Sequence, residues 1–161
     1  MDNQRGYCCI GLHGVKNAIN VGGVLRAAGC YGVAAVFTTG DRYKRVPTDV
    51  QNSFKKIPVM KVDDLRNVIP FGCKVIAVEL VESATPLMEF KHPERAMYVF
   101  GPEDGTLGKK VLSWVHDTVY IPTHFCMNLA ATVNVVMYDR LLKLSKGQIG
   151  GYKKIVALAG E

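Results

Sequence analysis

Short apolar runs alternate with segments of helical periodicity along most of this chain. The apolar runs predict buried strands at residues 7–12, 33–38, 74–80, 96–100 and 118–121. Helical periodicity predicts helices at residues 20–30, 62–68, 107–115 and 129–144. Apolar strands separated by helices are typical of a sheet buried on both faces. We therefore predict an α/β fold in which helices flank a parallel sheet.

The last of these helices has the clearest pattern. Its apolar residues recur at steps of three and four, which places them on one helix face: Leu129, Val133, Val136, Met137, Leu141 and Leu144. Residues 40–61, by contrast, are polar, basic and poorly periodic, which predicts a long loop or a broken helix of functional interest. A glycine-rich break at 147–151 and an apolar stretch at 155–158 predict a short terminal element.

The composition is that of one globular domain. The 161 residues are 48% hydrophobic and 21% charged, and no linker or repeat divides them, so we assign residues 1–161 to a single domain. No apolar run reaches the roughly 18 residues of a membrane helix, and no apolar signal core opens the chain. These features predict an intracellular, cytoplasmic protein without membrane attachment.

The net charge of +6 is a weak indication of a polyanionic partner. Several basic side chains lie in the poorly periodic segment and are suited to RNA phosphate contacts: Arg42, Lys44, Arg45, Lys55 and Lys56. A solvated basic surface explains the same charge pattern equally well.

The five cysteines are odd in number and lack paired metal-ligand spacing, which predicts reduced thiols, most of them buried. A zinc site built from His116, His124 and Cys126 is disfavoured because no second ligand cluster supports it. We expect no metal. A nucleophilic role for Cys126 is disfavoured too, since no clear histidine–acid partnership accompanies it.

Three glycine- or asparagine-bearing segments follow predicted strands, the position at which open α/β sheets bind ligands. The first, residues 17–26, opens a helix that either Asn17 or Asn20 is placed to cap. It contains two glycines that permit close approach, and it ends at Arg26. Taken alone, this segment is also explained as a helix cap followed by a surface arginine.

The second segment, residues 100–108, is a tight loop whose adjacent acids, Glu103 and Asp104, favour a cationic or hydroxyl-bearing ligand over a phosphate. Neither a complete P-loop nor a G-x-G-x-x-G fingerprint is present. The third segment, residues 121–130, joins the last predicted strand to the longest helix, which Asn128 is placed to cap.

Together the three segments resemble the motifs of the SPOUT superfamily, and more narrowly those of TrmH-type (SpoU) RNA 2′-O-ribose methyltransferases. The motifs are N-x-x-N-x-G-x-x-x-R at 17–26, F-G-P-E at 100–103, and I-P followed by N-L-A and a long helix. The resemblance spans roughly residues 7–140. It implies a parallel-sheet domain with a deep C-terminal trefoil knot, S-adenosylmethionine as cofactor, tRNA or rRNA as substrate, and a homodimer whose site is completed across the interface.

The resemblance also implies residue roles. Arg26 would lie beside the target ribose, and the implied catalytic set is Arg26, Asn20, Glu103 and Asn128. The implied cofactor-binding set is Leu80, Phe100, Gly101, Ile121, Pro122, Cys126, Met127 and Leu129. Cys126 stands where the family often has serine, and a thiol is the weaker hydrogen-bond donor. The loop between Pro122 and Asn128 is also short beside the family pattern.

Three questions stay open at the level of sequence. An arginine is normally fully protonated, so Arg26 acts either as an unusually perturbed base or as a stabiliser of the developing alkoxide. A non-catalytic RNA-binding module that keeps the fold is an alternative function. A different α/β nucleotide-binding enzyme is a further alternative, which the missing Rossmann and P-loop fingerprints disfavour.

Overall fold

The computed structural model of the chain describes residues 6–40 and 56–145. Four predicted RNA contacts (Arg42, Lys44, Arg45 and Lys55) and the terminal element predicted at 155–158 lie outside the described residues. The strands are β1 (Tyr7–Leu12), β2 (Val36–Thr38), β3 (Val59–Lys61), β4 (Lys74–Val78), β5 (Thr85–Pro86), β6 (Arg95–Phe100) and β7 (Asp117–Tyr120). The helices are α1 (Ala18–Cys30), α2 (Gly108–Leu112) and α3 (Leu129–Leu144), with short 3-10 turns at Leu65–Val68 and Leu87–Glu89.

The described strands form one parallel sheet in the order β3-β2-β1-β6-β4-β7-β5. Tyr98 of β6 lies opposite Ile10 of β1 on one side and Ile76 of β4 on the other, so these three strands are central. Central strands of a parallel sheet are covered on both faces, which explains their nearly continuous apolar runs. The predicted α/β fold, a parallel sheet flanked by helices, is therefore confirmed.

The helix predicted at 107–115 is shorter than expected and ends at Leu112. Two further predictions, both between β2 and β4, need correction. Residues 59–61, assigned to a loop or broken helix, form β3, which pairs in parallel with β2. The helix predicted at 62–68 is only a 3-10 turn at Leu65–Val68, begun by Asp64, whose carboxylate accepts a hydrogen bond from the Arg66 amide at 2.9 Å.

Alternate residues of the central strands point to two different layers. Cys8, Ile10 and Leu12 of β1 face the layer formed by α1 and α3. Cys9 faces the opposite layer, which contains Leu65 of the first 3-10 turn and the apolar residues of α2. Helix α1 follows β1 and α2 follows β6, so the carboxyl edge of the strands is bordered by α1 on one face and by α2 on the other.

Helices α1 and α3 pack unusually closely on the first layer. A Cβ atom added at Gly23 would lie 2.7 Å from the Cβ of Ala130, which is closer than side-chain carbons pack. The second glycine of the N-x-x-N-x-G-G run therefore has a packing role. It lets the helix that carries Asn20 and Arg26 approach the first turn of α3.

A buried polar network fixes the far end of α3. The ring of His92, whose side chain is fully buried, lies 2.6 Å from the Tyr98 hydroxyl and 2.7 Å from an Asp139 carboxylate oxygen. Lys143 pairs with the same carboxylate at 2.8 Å, and Arg140 donates to the Tyr98 hydroxyl at 3.2 Å. Burial lowers the pKa of His92, so at neutral pH the ring is an uncharged link in this network.

The cysteines are free, as the sequence predicts, with Cys8, Cys9 and Cys73 buried and Cys30 and Cys126 exposed. In residues 6–40 and 56–145, no cluster of histidine, cysteine and acidic side chains is arranged to hold a metal ion. None of the helices in the same ranges combines the length and the apolar character needed to cross a membrane.

Candidate active site

The three motif segments meet at the carboxyl edge of the sheet. Residues 13–17 follow β1, residues 101–107 follow β6, and residues 121–128 follow β7. Backbone bonds hold the strand exits together: the His13 amide donates to the Phe100 carbonyl at 2.9 Å, and the Glu79 amide donates to the Val119 carbonyl at 2.9 Å. The predicted convergence of the motifs is therefore seen in the fold.

Asn20 and Glu103 join the first motif to the second. The Asn20 side-chain amide donates to a Glu103 carboxylate oxygen at 2.8 Å, and the Lys16 backbone amide approaches the other oxygen at 3.4 Å. The Lys16 ammonium pairs with Asp104 at 2.5 Å. Asn17, not Asn20, caps α1 by accepting from the Ile19 amide at 2.9 Å, which leaves the Asn20 side chain available for Glu103.

Arg26 lies farther along α1, about 9 Å beyond Asn20 along the helix axis. Its side chain is exposed and makes no hydrogen bond or ion pair with another described residue. Arg26 shares its helix face with Ile19 and Gly23, because these residues are spaced at three to seven positions. It therefore lies on the side of α1 that borders α3, and the structure does not bring it into contact with the Asn20–Glu103 pair.

The loop after β6 is tied to the end of β4 by Glu79. One Glu79 carboxylate oxygen accepts from the Leu107 amide at 2.8 Å, and the other accepts from the Leu80 amide at 2.9 Å. Gly101 is close to the same point, since a Cβ there would lie 3.2 Å from the Leu107 nitrogen. Glu79 is not among the residues predicted from the sequence, where its only signal is an acid directly after an apolar strand.

The third motif brings Asn128 to the N-terminus of α3. Its side-chain oxygen accepts from the Ala131 amide at 2.8 Å, which confirms the predicted cap. Leu129 is buried in the core and Ile121 packs partly against it. Pro122 and Cys126 are exposed, and Met127 is half-buried. His124, weighed as a zinc ligand, is exposed in the same loop.

Two large apolar side chains near these loops lack cover from described residues. Leu80 is 73% exposed after β4, and Phe125 is 87% exposed in the loop before α3. Phe100, like Leu129, differs from the other predicted cofactor contacts because its side chain is buried in the core. At Phe100 only the backbone is placed for a ligand, and its carbonyl already accepts from His13.

Lys56, the one predicted RNA contact among the described residues, lies away from these loops. It is exposed and precedes β3, so it is at the amino edge of the parallel sheet, opposite to Asn20 and Glu103. At the carboxyl edge the cation in contact with a motif residue is instead Lys16, which pairs with Asp104.

Comparison with known proteins yields consistent matches. A sequence model of the SpoU rRNA methylase family matches residues 7–138. A 23S rRNA (guanosine-2′-O-)-methyltransferase, RlmB of Acinetobacter baylyi, is 25% identical in an alignment of length 151 that covers 86% of this chain and 61% of the relative. The chain thus spans about three fifths of the length of the curated relative that it matches.

Two solved structures share the fold. The TrmH/SpoU tRNA modifying enzyme of A. aeolicus superposes with a TM-score of 0.77 at 17% identity, covering 86% of this chain and 76% of that one. The SpoU methyltransferase AviRb from Streptomyces viridochromogenes, in complex with AdoMet, superposes with a TM-score of 0.75 at 16% identity, covering 89% and 62%.

Proposed function

The chain belongs to the SpoU rRNA methylase family, and from that premise we propose that it is an S-adenosylmethionine-dependent methyltransferase that modifies a ribose 2′-hydroxyl of tRNA or rRNA. The observation that carries this proposal is the 2.8 Å bond between Asn20 and Glu103. It joins two motifs that are 83 positions apart in sequence at the ligand-binding edge of the sheet. The names of the rRNA and tRNA methyltransferases that the chain resembles support the same reaction.

The residues present fit S-adenosylmethionine. Leu80 and Phe125 offer uncovered apolar surface for a purine ring, and the backbone of Gly101, held by the Glu79 bonds, offers polar groups beside it. The rest of the proposed contact set comes from the β6, β7 and α3 junctions: Phe100 through its backbone, Ile121, Pro122, Cys126, Met127 and Leu129. The AdoMet complex of AviRb, which shares the fold, supports this cofactor.

In the reaction we propose, bound S-adenosylmethionine supplies an electrophilic methyl group. The chain's own residues position the ribose and stabilise charge. The guanidinium of Arg26 would stabilise the negative charge that develops on the 2′-oxygen as the hydroxyl proton passes to solvent water. Asn20, Glu103 and Asn128 orient the loops on either side, so that the hydroxyl is held in line with the methyl group, and such positioning supplies much of the rate enhancement.

A homodimer is part of the proposal. Exposed apolar side chains follow one face formed by α1 and α3: Ile19 (55% exposed), Val135 (37%), Tyr138 (56%) and Leu142 (48%). Exposed apolar side chains on two adjacent helices are what a protein interface would cover. Because Arg26 is on the same side of α1, a partner copy seated here would enclose it and complete the site.

A trefoil knot belongs to the same proposal. Strand β7 lies between β4 and β5, whereas α3 packs against α1 on the other side of the sheet's centre. Residues 121–128 must therefore cross the exits of β4 and β6, where the Glu79-tied loop also passes. This crossing supports a chain that threads through a loop and so forms the knot. The proposed location is the cytoplasm, where tRNA and rRNA are modified.

The test is calorimetric titration with S-adenosylmethionine, followed by methyl transfer from labelled cofactor to unmethylated tRNA and rRNA. We expect binding by the wild type, and we expect Arg26→Ala to retain binding while losing methylation by at least about two orders of magnitude, the scale of a lost oxyanion-type contact. Lys109→Ala, which removes an exposed charge on α2, is the control and should keep full activity. Absence of cofactor binding by the wild type would refute the proposed function.

A further inference from the structure

Lys16 lies between two fixed residues of the loop that follows β1. Val15 on one side is fully buried in the core, and Asn17 on the other side caps α1. The loop is also fastened near its start, where the Gly14 amide donates to the Thr39 hydroxyl at 3.0 Å. The Lys16 backbone therefore has a fixed position at the carboxyl edge of the sheet, although its side chain reaches solvent.

The base of the loop after β6 is held by contacts in which Lys16 takes no part. Leu107 is buried, and its amide donates to the Glu79 carboxylate at 2.8 Å. Gly101, at the other end of the loop, lies so close to Leu107 that a Cβ atom there would be 3.2 Å from the Leu107 nitrogen. The backbone that we propose contacts S-adenosylmethionine is thus held independently of Lys16.

The tip of this loop, residues 102–105, is held instead by Lys16 and Asn20. The Lys16 ammonium pairs with Asp104 at 2.5 Å. The Lys16 backbone amide lies 3.4 Å from one Glu103 oxygen, and the Asn20 side chain donates to the other at 2.8 Å. Two adjacent carboxylates repel each other, and an ammonium beside one of them offsets that repulsion. Lys16 thereby favours the position of the tip in which Glu103 reaches Asn20.

We propose that Lys16 is a positioning residue of the methyl-transfer site: its ion pair with Asp104 holds the tip against the first motif and so fixes the contact between Glu103 and Asn20. The inference rests on the proposed function for the reaction that this contact serves. Lys16 acts through Asp104 and Glu103 rather than on the reacting atoms. Because the base of the loop is held separately, loss of the ion pair should affect turnover and leave cofactor binding intact.

The test compares Lys16→Met with Asp104→Asn in methyl transfer to the RNA that the wild type methylates. The two side chains are 38% and 61% exposed, so both variants should keep their thermal stability and their Kd for S-adenosylmethionine. Both should lower kcat by about two- to fivefold, the scale on which an exposed ion pair shifts an equilibrium. A through-space effect of charge on RNA binding or on the reaction would instead have opposite signs, because one variant removes a cation and the other an anion.

Three further variants separate the ion pair from its individual charges. The double variant Lys16→Met/Asp104→Asn should lose no more than either single variant, since both remove the same interaction. Lys16→Arg can still pair with Asp104 and should retain most of the rate, and Lys109→Met removes an exposed lysine of α2 and should keep kcat. Unchanged kcat in both single variants, effects of opposite sign, or losses that multiply in the double variant would overturn the proposal.

The side-chain amide of Asn20 provides a readout that needs no turnover. Its NMR signal should move towards that of a free asparagine in both single variants, because each releases Glu103 from Asn20. A wild type that transfers no methyl group refutes the proposed function, and the Asn20 signal then still reports whether Lys16 holds the tip. Signals that move in opposite directions in the two variants, or in neither, would show that it does not.

Discussion

Gly23→Ala should force α1 and α3 apart. The new methyl carbon would lie 2.7 Å from the Ala130 methyl carbon, whereas carbon atoms pack at about 3.5–4.0 Å, so the helices must separate by roughly 1 Å. Helix α1 carries Asn20 and Arg26, and α3 begins at Asn128. The substitution therefore disturbs the spacing of the first and third motifs without altering any of their side chains.

Two opposing effects determine how much Gly23→Ala changes the free energy of unfolding. Replacing glycine by alanine inside a helix stabilises the protein by about 1 kcal/mol through the helix propensity. Overpacking a tight contact costs about 1–3 kcal/mol. Gly29→Ala, on the exposed side of the same helix, has only the first effect. We therefore expect the free energy of unfolding of Gly23→Ala to lie about 1–3 kcal/mol below that of Gly29→Ala.

Urea unfolding of the two variants measures this difference directly, with similar m-values confirming that the same surface is exposed on unfolding. Ala130→Gly, introduced into Gly23→Ala, removes the opposing methyl group. It should recover stability, giving a favourable coupling of at least about 1 kcal/mol in the double-mutant cycle. If Gly23→Ala stabilises the protein as much as Gly29→Ala does, the contact between α1 and α3 has room for a methyl group at position 23. That result would refute the expected separation of the helices.

Three further predictions follow from individual bonds. Asn128→Ala should lower the free energy of unfolding by about 1 kcal/mol through loss of the α3 cap, whereas Asn128→Asp keeps the cap and should restore stability in urea unfolding. Glu103→Gln should reduce methyl transfer far more than it reduces thermal stability, because glutamine retains an acceptor for Asn20; equal losses would assign Glu103 a purely structural role. The free energy of unfolding should fall as pH decreases below about 6.5. The reason is that His92 takes up a proton in the unfolded chain more readily than in the folded protein, where its pKa is lowered. His92→Gln should flatten this dependence of stability on pH, and an unchanged profile would show that His92 is not its source.

Strands β3 and β5 show the limit of prediction from local pattern. They are only three and two residues long, too short for an alternation to be detected. Each is a strand because a neighbour offers a free edge: β3 pairs with β2, and β5 pairs with β7. The long central strands were predictable because burial on both faces makes them apolar throughout.

Helix α2 illustrates a different failure. The apolar pattern predicts a helix over 107–115, but the helix ends at Leu112. The chain then turns to bring His116 to β4, where its amide donates to the Val75 carbonyl at 2.9 Å and its ring accepts from the Val75 amide at 2.9 Å. A contact between residues 41 positions apart overrides the local helical periodicity, and nothing local in the sequence signals it.

The motif residues differ in how far the fold alone accounts for them. Asn17 and Asn128 cap helices, and Glu103 holds the second motif against Asn20, so each of these residues stabilises the structure whatever reaction occurs there. Arg26 is different, because it is exposed and bonds to no other described residue. The folded structure of residues 6–40 and 56–145 gives no reason for an arginine at that position. A substitution there should therefore leave the free energy of unfolding nearly unchanged, and a large loss of methylation by Arg26→Ala would then report on the reaction itself.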